Sequence, residues 1–177
     1  MRVPALLLVL LAAGCAGSPP QLAHAPDPGD VRLTGGGELT DGDTAAIAYD
    51  RKLVPAGAQA SVTAESTGGQ TLTSLVVEGL LPTRPYGAHL HTKPCGKTGE
   101  DAGPHYQHEP GQASVRNEVW LDFTTDSSGA GRATARNAWS LDSGRLPGSL
   151  VIHTRHTTSS GPDAGAAGDR LACVTLK

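Results

Sequence analysis

Gly87-Ala88-His89-Leu90-His91 places two imidazoles one residue apart, with Cys95 close behind. Alternate side chains of a strand share a face, so His89 and His91 point the same way. Imidazole is a ligand that copper and zinc both accept, and two converging imidazoles make the start of a metal site. His105/His108 and His153/His156 are further pairs, so six of the seven histidines fall in three pairs and only His24 stands apart. One His-x-His strand is commonly just a pair of solvated side chains. Three pairs in one small domain point to a bound metal.

The elements that must position these histidines read as β throughout. Aromatic residues are only 3% of the chain, so a core must rest on Val, Leu, Ile and Ala, while Gly 23 and Pro 13 favour turns and short strands over long helices. Ala45 to Tyr49 is a short apolar run. Ala58 to Glu65 alternates, Gly68-Gly69 makes a turn, and Thr71 to Glu78 alternates again, which is the pattern of a hairpin. Strands are expected at Tyr86 to His91, Val119 to Thr125, Ser149 to His153 and Arg170 to Leu176, with a weaker pattern at Gly131 to Ala138. Short strands with glycine-rich turns favour a sandwich or barrel. The net charge of -3 argues against non-specific nucleic-acid binding, and the absence of Gly-x-Ser-x-Gly gives a serine hydrolase no support.

The N-terminus reads as an export signal. Arg2 supplies a positive charge, and Pro4 to Ala13 is an apolar run too short to span a membrane as a helix. Leu11-Ala12-Ala13-Gly14-Cys15 resembles a bacterial lipobox, with Ala12 where Leu is more usual. Residues 1–14 are therefore expected to be a lipoprotein signal peptide, and Cys15 the lipidated first residue of an extracytoplasmic, membrane-anchored protein. Residues 15–34, rich in proline and poor in apolar side chains, are expected to be a flexible tether, leaving 35–177 as one folded domain. With Cys15 consumed, Cys95 and Cys173 are the candidates for a disulfide in an oxidising compartment. In the chain-entropy model such a bridge stabilises the fold by about 4 kcal/mol. Two separate buried thiols are the alternative.

Four segments together carry a family resemblance: Gly87-Ala88-His89-Leu90-His91, Gly103-Pro104-His105-Tyr106, Leu150-Val151-Ile152-His153 and Gly168-Asp169-Arg170-Leu171-Ala172-Cys173. In this order and at roughly this spacing they resemble the copper,zinc superoxide dismutases, over about residues 35–177. The resemblance implies an eight-stranded Greek-key β-barrel. It implies that His89, His91, His105 and His153 are copper ligands, His105 being the imidazole that bridges copper and zinc in typical members. Arg170 would attract and orient superoxide, and Cys95–Cys173 would be the intrasubunit disulfide. The implied activity converts superoxide to dioxygen and hydrogen peroxide, with His105 as proton donor. Lys93, Lys97 and Arg155 are possible further contributors to a positive approach for the anion.

The zinc half departs from the family pattern. No histidine lies between His108 and His153, and Asn117-Glu118-Val119-Trp120-Leu121-Asp122 occupies the region of the usual last histidine and aspartate. The family's aspartate that links the two metal sites has no clear match, and Thr157 stands near its place. Copper is thus the expected cofactor, and a standard zinc site is in doubt. Copper-only relatives hold the bridging histidine with a carboxylate, for which Glu109, Glu118 and Asp122 are candidates. His108 and His156 either rebuild a second site, or support the first as outer groups or copper-capture ligands, or are plain loop histidines. A copper-storing or copper-delivering lipoprotein is the alternative to an enzyme; Arg170 counts against it. Oligomeric state stays open.

Overall fold

The computed structural model describes residues 29–42 and 45–177. The expected signal peptide, Cys15 and His24 lie outside these residues. Alternation of small apolar and polar residues builds the first sheet. Strand β3 (Gln59–Thr67) buries Ala60, Val62 and Ala64, and β4 (Gln70–Glu78) buries Leu75 and Val77. The two form the expected hairpin, with Thr67 opposite Gln70 across Gly68-Gly69. Both glycines have positive φ, 56° and 78°, the backbone that a two-residue hairpin turn needs. Strand β1 (Val31–Glu38) pairs with β3, and β7 (Gly131–Asn137) pairs with β4, giving the order β1-β3-β4-β7.

The second sheet runs β2 (Ala46–Ala48), β9 (Arg170–Thr175), β8 (Ser149–His153), β5 (Pro85–His91) and β6 (Phe123–Thr124). All pairings named in both sheets are antiparallel. Between the sheets lies one core. Ala60, Val62, Leu75 and Val77 from the first meet Tyr86, Ala88, Leu90, Leu150, Ile152 and Val174 from the second. Full burial of a Val or Leu side chain contributes about 1.5–3 kcal/mol, so this aliphatic core can hold the fold with few aromatics. A Tyr86–Phe123 stack with ring centroids 5.3 Å apart adds to it.

The all-β architecture is as expected; among the described residues nine strands form two antiparallel sheets, which do not close into one barrel. Two strand readings change. Residues 31–34 belong to β1 rather than to the tether, and Lys177 exchanges backbone hydrogen bonds with Thr34. The Val119 to Thr125 stretch is regular strand only at Phe123–Thr124. Among the described residues no helix is long and apolar enough to cross a membrane.

Candidate metal centre

Strand β5 is buried on both faces, and this places the histidines. Tyr86, Ala88 and Leu90 point into the core, so His89 and His91 occupy the opposite face. His153 ends β8, where its register partner on β5 is Gly87, at a register irregularity between Ile152 and His153. Both strands thus deliver imidazoles to the outer face of one sheet.

The fourth imidazole arrives along the other edge of β5. Two segments share that edge. Leu121 N donates to Ala88 O (2.8 Å), and farther along Tyr106 N donates to Leu90 O (2.8 Å). Isolated bridges pair His89 with Trp120 and His91 with His105, and a third, Gln107 with Glu118, ties the two segments together. Sharing the edge explains why 119–122 does not continue as regular strand. It also sets His105 beside His91 and brings Glu118 behind His105.

His89, His91, His105 and His153 each offer one nitrogen, and those nitrogens all lie within 4.8 Å of one another. The remaining nitrogens are held. Those of His91 and His153 are each Nδ1, facing Gly103 O at 2.9 Å and Gly168 O at 3.2 Å. His105 Nδ1 donates to Glu118 Oε2 at 2.9 Å. For His89 it is Nε2 that is held, 2.7 Å from Thr157 Oγ1. His89 Nδ1 is buried with no hydrogen-bond partner. A buried polar atom without a partner is costly in a finished fold, and a cation at the centre of the cluster removes that cost. The donor set therefore fits a metal ion.

The cluster is electrostatically prepared for one. Burial, and then repulsion from His105, pushes His91 down to about 2. His153 is pushed down to about 4, mainly by burial, and burial also takes His89 well below the ordinary value. Neutral imidazoles are the metal-ligating form, so the lowered values of these three rings favour metal over a second proton.

Glu118 is 2% exposed and accepts three hydrogen bonds. They come from His105 Nδ1 (2.9 Å), Gln107 Nε2 (2.8 Å) and Trp120 Nε1 (2.8 Å). Burial alone would raise its pKa; the three donors outweigh that and hold it below the usual glutamate value. Of the three candidate carboxylates, Glu118 is the one bonded to His105. Glu109 is exposed, and the bond involving its N–H goes to Asn117 Oδ1. Asp122 instead accepts from the Thr157 backbone N–H (2.9 Å) and hydroxyl (2.5 Å).

Arg170 sits at the rim, its side chain 18% exposed, donating from Nη1 to Gly99 O at 2.7 Å. It lies near enough to depress the His91 and His153 pKa values further. His105, its side chain 19% exposed, is the wettest of the four histidines. Cys95 and Cys173 form a disulfide across Cα atoms 5.8 Å apart, packed with Ile47, Ala102 and Val151. It pins the loop after His91 to β9, beside Arg170.

His108 and His156 are outside the four-histidine group. His108 stacks on Trp139 with ring centroids 4.9 Å apart, and His156 Nε2 bonds Phe123 O at 2.9 Å. Among the described residues neither joins His105 in a second candidate metal group. The sequence reading did not single out Trp120 and Gln107 as partners of Glu118, or the carbonyls of Gly103 and Gly168; no side-chain motif announces them.

No family model matches the chain, and no curated protein matches it in sequence. Solved structures do match. A Cu/Zn superoxide dismutase from Brucella abortus has a TM-score of 0.56 at 16% identity, covering 84% of this chain and 99% of that one. The clock protein EA4 has a TM-score of 0.59 at 18% identity, covering 86% and 98%. The chain thus has the fold of the Cu/Zn superoxide dismutases, with a four-histidine candidate metal centre on the outer face of one sheet.

Proposed function

We propose that this protein is a superoxide dismutase that works with copper alone, held by His89, His91, His105 and His153, on the outer face of the cell membrane. The observation that supports it most is the convergence of four imidazole nitrogens within 4.8 Å, one of them a buried Nδ1 with no other partner. Bound copper supplies a one-electron couple, through which two superoxide anions and two protons yield one dioxygen and one hydrogen peroxide. The chain's residues do the rest. Arg170 offers a fixed positive charge at the rim, with a guanidinium suited to orienting a small anion. His105 directs Nε2 inward and is the best placed group to pass a proton from that atom, being the part-exposed member of the set. Glu118 fixes its ring through Nδ1, the task a second metal would otherwise have.

Glu118 also supports a single-metal reading. Its oxygens are engaged by three donors, and among the described residues neither His108 nor His156 belongs to a candidate metal group. The disulfide and the export-like N-terminus support an extracytoplasmic site, with Cys15 as the proposed lipid anchor.

The test is reconstitution with copper alone, then with copper plus zinc, counting metals and following superoxide on one sample. One copper, no stoichiometric zinc, and dismutation lost in Arg170→Ala support the proposal. Tight copper binding without dismutation would leave a copper-holding lipoprotein in its place.

A further inference from the structure

Among the four imidazoles His89 is the odd one, since it offers Nδ1 to the centre while the other three have Nδ1 turned outward. A free imidazole is not bound to one choice. In the neutral ring either nitrogen can carry the proton, and the hydrogen bond at one decides the state of the other.

We propose that Asp122 and Thr157 form a polarised relay that keeps the proton of His89 on Nε2 and so reserves Nδ1 for the metal. This rests on the metal reading above. The polarity follows from the donors and acceptors present. Asp122 as a carboxylate only accepts; it takes the Thr157 backbone N–H on Oδ2 at 2.9 Å and the Thr157 hydroxyl on Oδ1 at 2.5 Å. With its proton committed to Asp122, Thr157 Oγ1 can only accept from His89 Nε2, which lies 2.7 Å away. His89 Nε2 must then donate, and Nδ1 is bare. The buried, partnerless state of Nδ1 is what that polarity requires. The relay spans separate parts of the chain, with Asp122 just before β6 and Thr157 in the loop after β8. It therefore also ties that loop to the β5 edge.

Asp122 and Thr157 are positioning residues here. Asp122→Asn keeps the shape but changes the polarity. Its remaining oxygen must stay opposite the Thr157 N–H, so the new amide group faces Thr157 Oγ1 and donates to it. The hydroxyl proton is then free to turn toward His89 Nε2, and the Nδ1–H tautomer becomes accessible. Thr157→Val removes the acceptor outright, while Thr157→Ser keeps it.

The test reads the tautomer directly, by long-range proton–nitrogen correlation on the full chain with 15N-labelled histidine, first metal-free and then loaded with Cu(I). The wild type and Thr157→Ser should show His89 as a single Nε2–H form. Asp122→Asn and Thr157→Val should populate Nδ1–H when metal-free, lose about 10–100-fold in copper affinity, and change the Cu(II) electron paramagnetic resonance spectrum. Folded Asp122→Asn and Thr157→Val proteins that keep a single Nε2–H form would overturn the relay. A wild type that fails to bind copper would instead overturn the metal reading, and the metal-free tautomer would still decide the relay.

Discussion

Removing Glu118 should cost more than its distance from any substrate suggests. Its carboxylate is 2% exposed and satisfies donors on His105, Gln107 and Trp120 at 2.8–2.9 Å. In Glu118→Ala all three lose their acceptor. Each buried unsatisfied group costs about 1–3 kcal/mol. The donors are themselves only part-buried, so water relieves some of this and a net loss of roughly 2–5 kcal/mol is expected. Glu118→Gln is the informative control. Its oxygen can still accept from His105 and Trp120, and its amide can face Gln107 once that side chain turns over, at the expense of the 3.2 Å bond from Gly111 N to Gln107 Oε1. What disappears is the charge on the acceptor, worth roughly 1–2 kcal/mol. Urea unfolding of the metal-free protein at neutral pH measures both. Copper titration should show a loss of about 10–100-fold for Glu118→Ala, because His105 is no longer fixed through Nδ1. If Glu118→Ala unfolds within 0.5 kcal/mol of wild type (roughly the scatter of surface substitutions) and binds copper equally well, the role given to this carboxylate is wrong.

Other consequences can be checked separately. Replacing Cys95 and Cys173 together by serine should cost about 2–5 kcal/mol in the same unfolding experiment, and should lower dismutation through the loop that carries the Arg170 contact to Gly99. The metal-free protein should lose stability as the pH falls from 6.5 toward 4. Folded His153 titrates near 4 and folded His91 near 2, so in this window the unfolded chain binds more protons than the fold. The loss should approach about 1.4 kcal/mol per pH unit for each such histidine, and a urea midpoint unchanged between pH 7 and pH 5 would contradict it. Gly168 has φ of 82°, and a Cβ there would lie 2.1 Å from Thr154 Oγ1, while its carbonyl holds His153 Nδ1. Gly168→Ala should therefore loosen copper and cost about 1–3 kcal/mol, measured by titration and unfolding.

The histidines and the hairpin were legible because their periods are short. His89 and His91 share a face by strand geometry alone, and Ala58 to Glu78 carries its alternation openly. Strand β1 was not legible. Its Gly35-Gly36-Gly37 run resembles a turn, yet a Cβ at Gly35 would sit 2.4 Å from Thr175 O, so glycine there serves a close strand approach. That approach is tertiary, and no local pattern signals it. Residues 119–122 misled for the opposite reason. Their propensity is high, but the segment shares the β5 edge with 104–106 and keeps only isolated pairing. At the site, the likeness picked out the four histidines that converge but left three carboxylates equal. What separates Glu118 from Glu109 and Asp122 is which one the Gln107–Glu118 bridge swings behind His105. Asp122 joined to Thr157 is likewise a meeting of residues 35 positions apart.

The most direct measurement is the decay of a superoxide pulse in the presence of the full chain loaded with copper alone. Catalytic decay, first order in copper-loaded protein and sharply reduced in His153→Ala and Arg170→Ala, is the expected result. Decay no faster than with the metal-free protein, in a sample shown to hold one tightly bound copper, would contradict a dismutase.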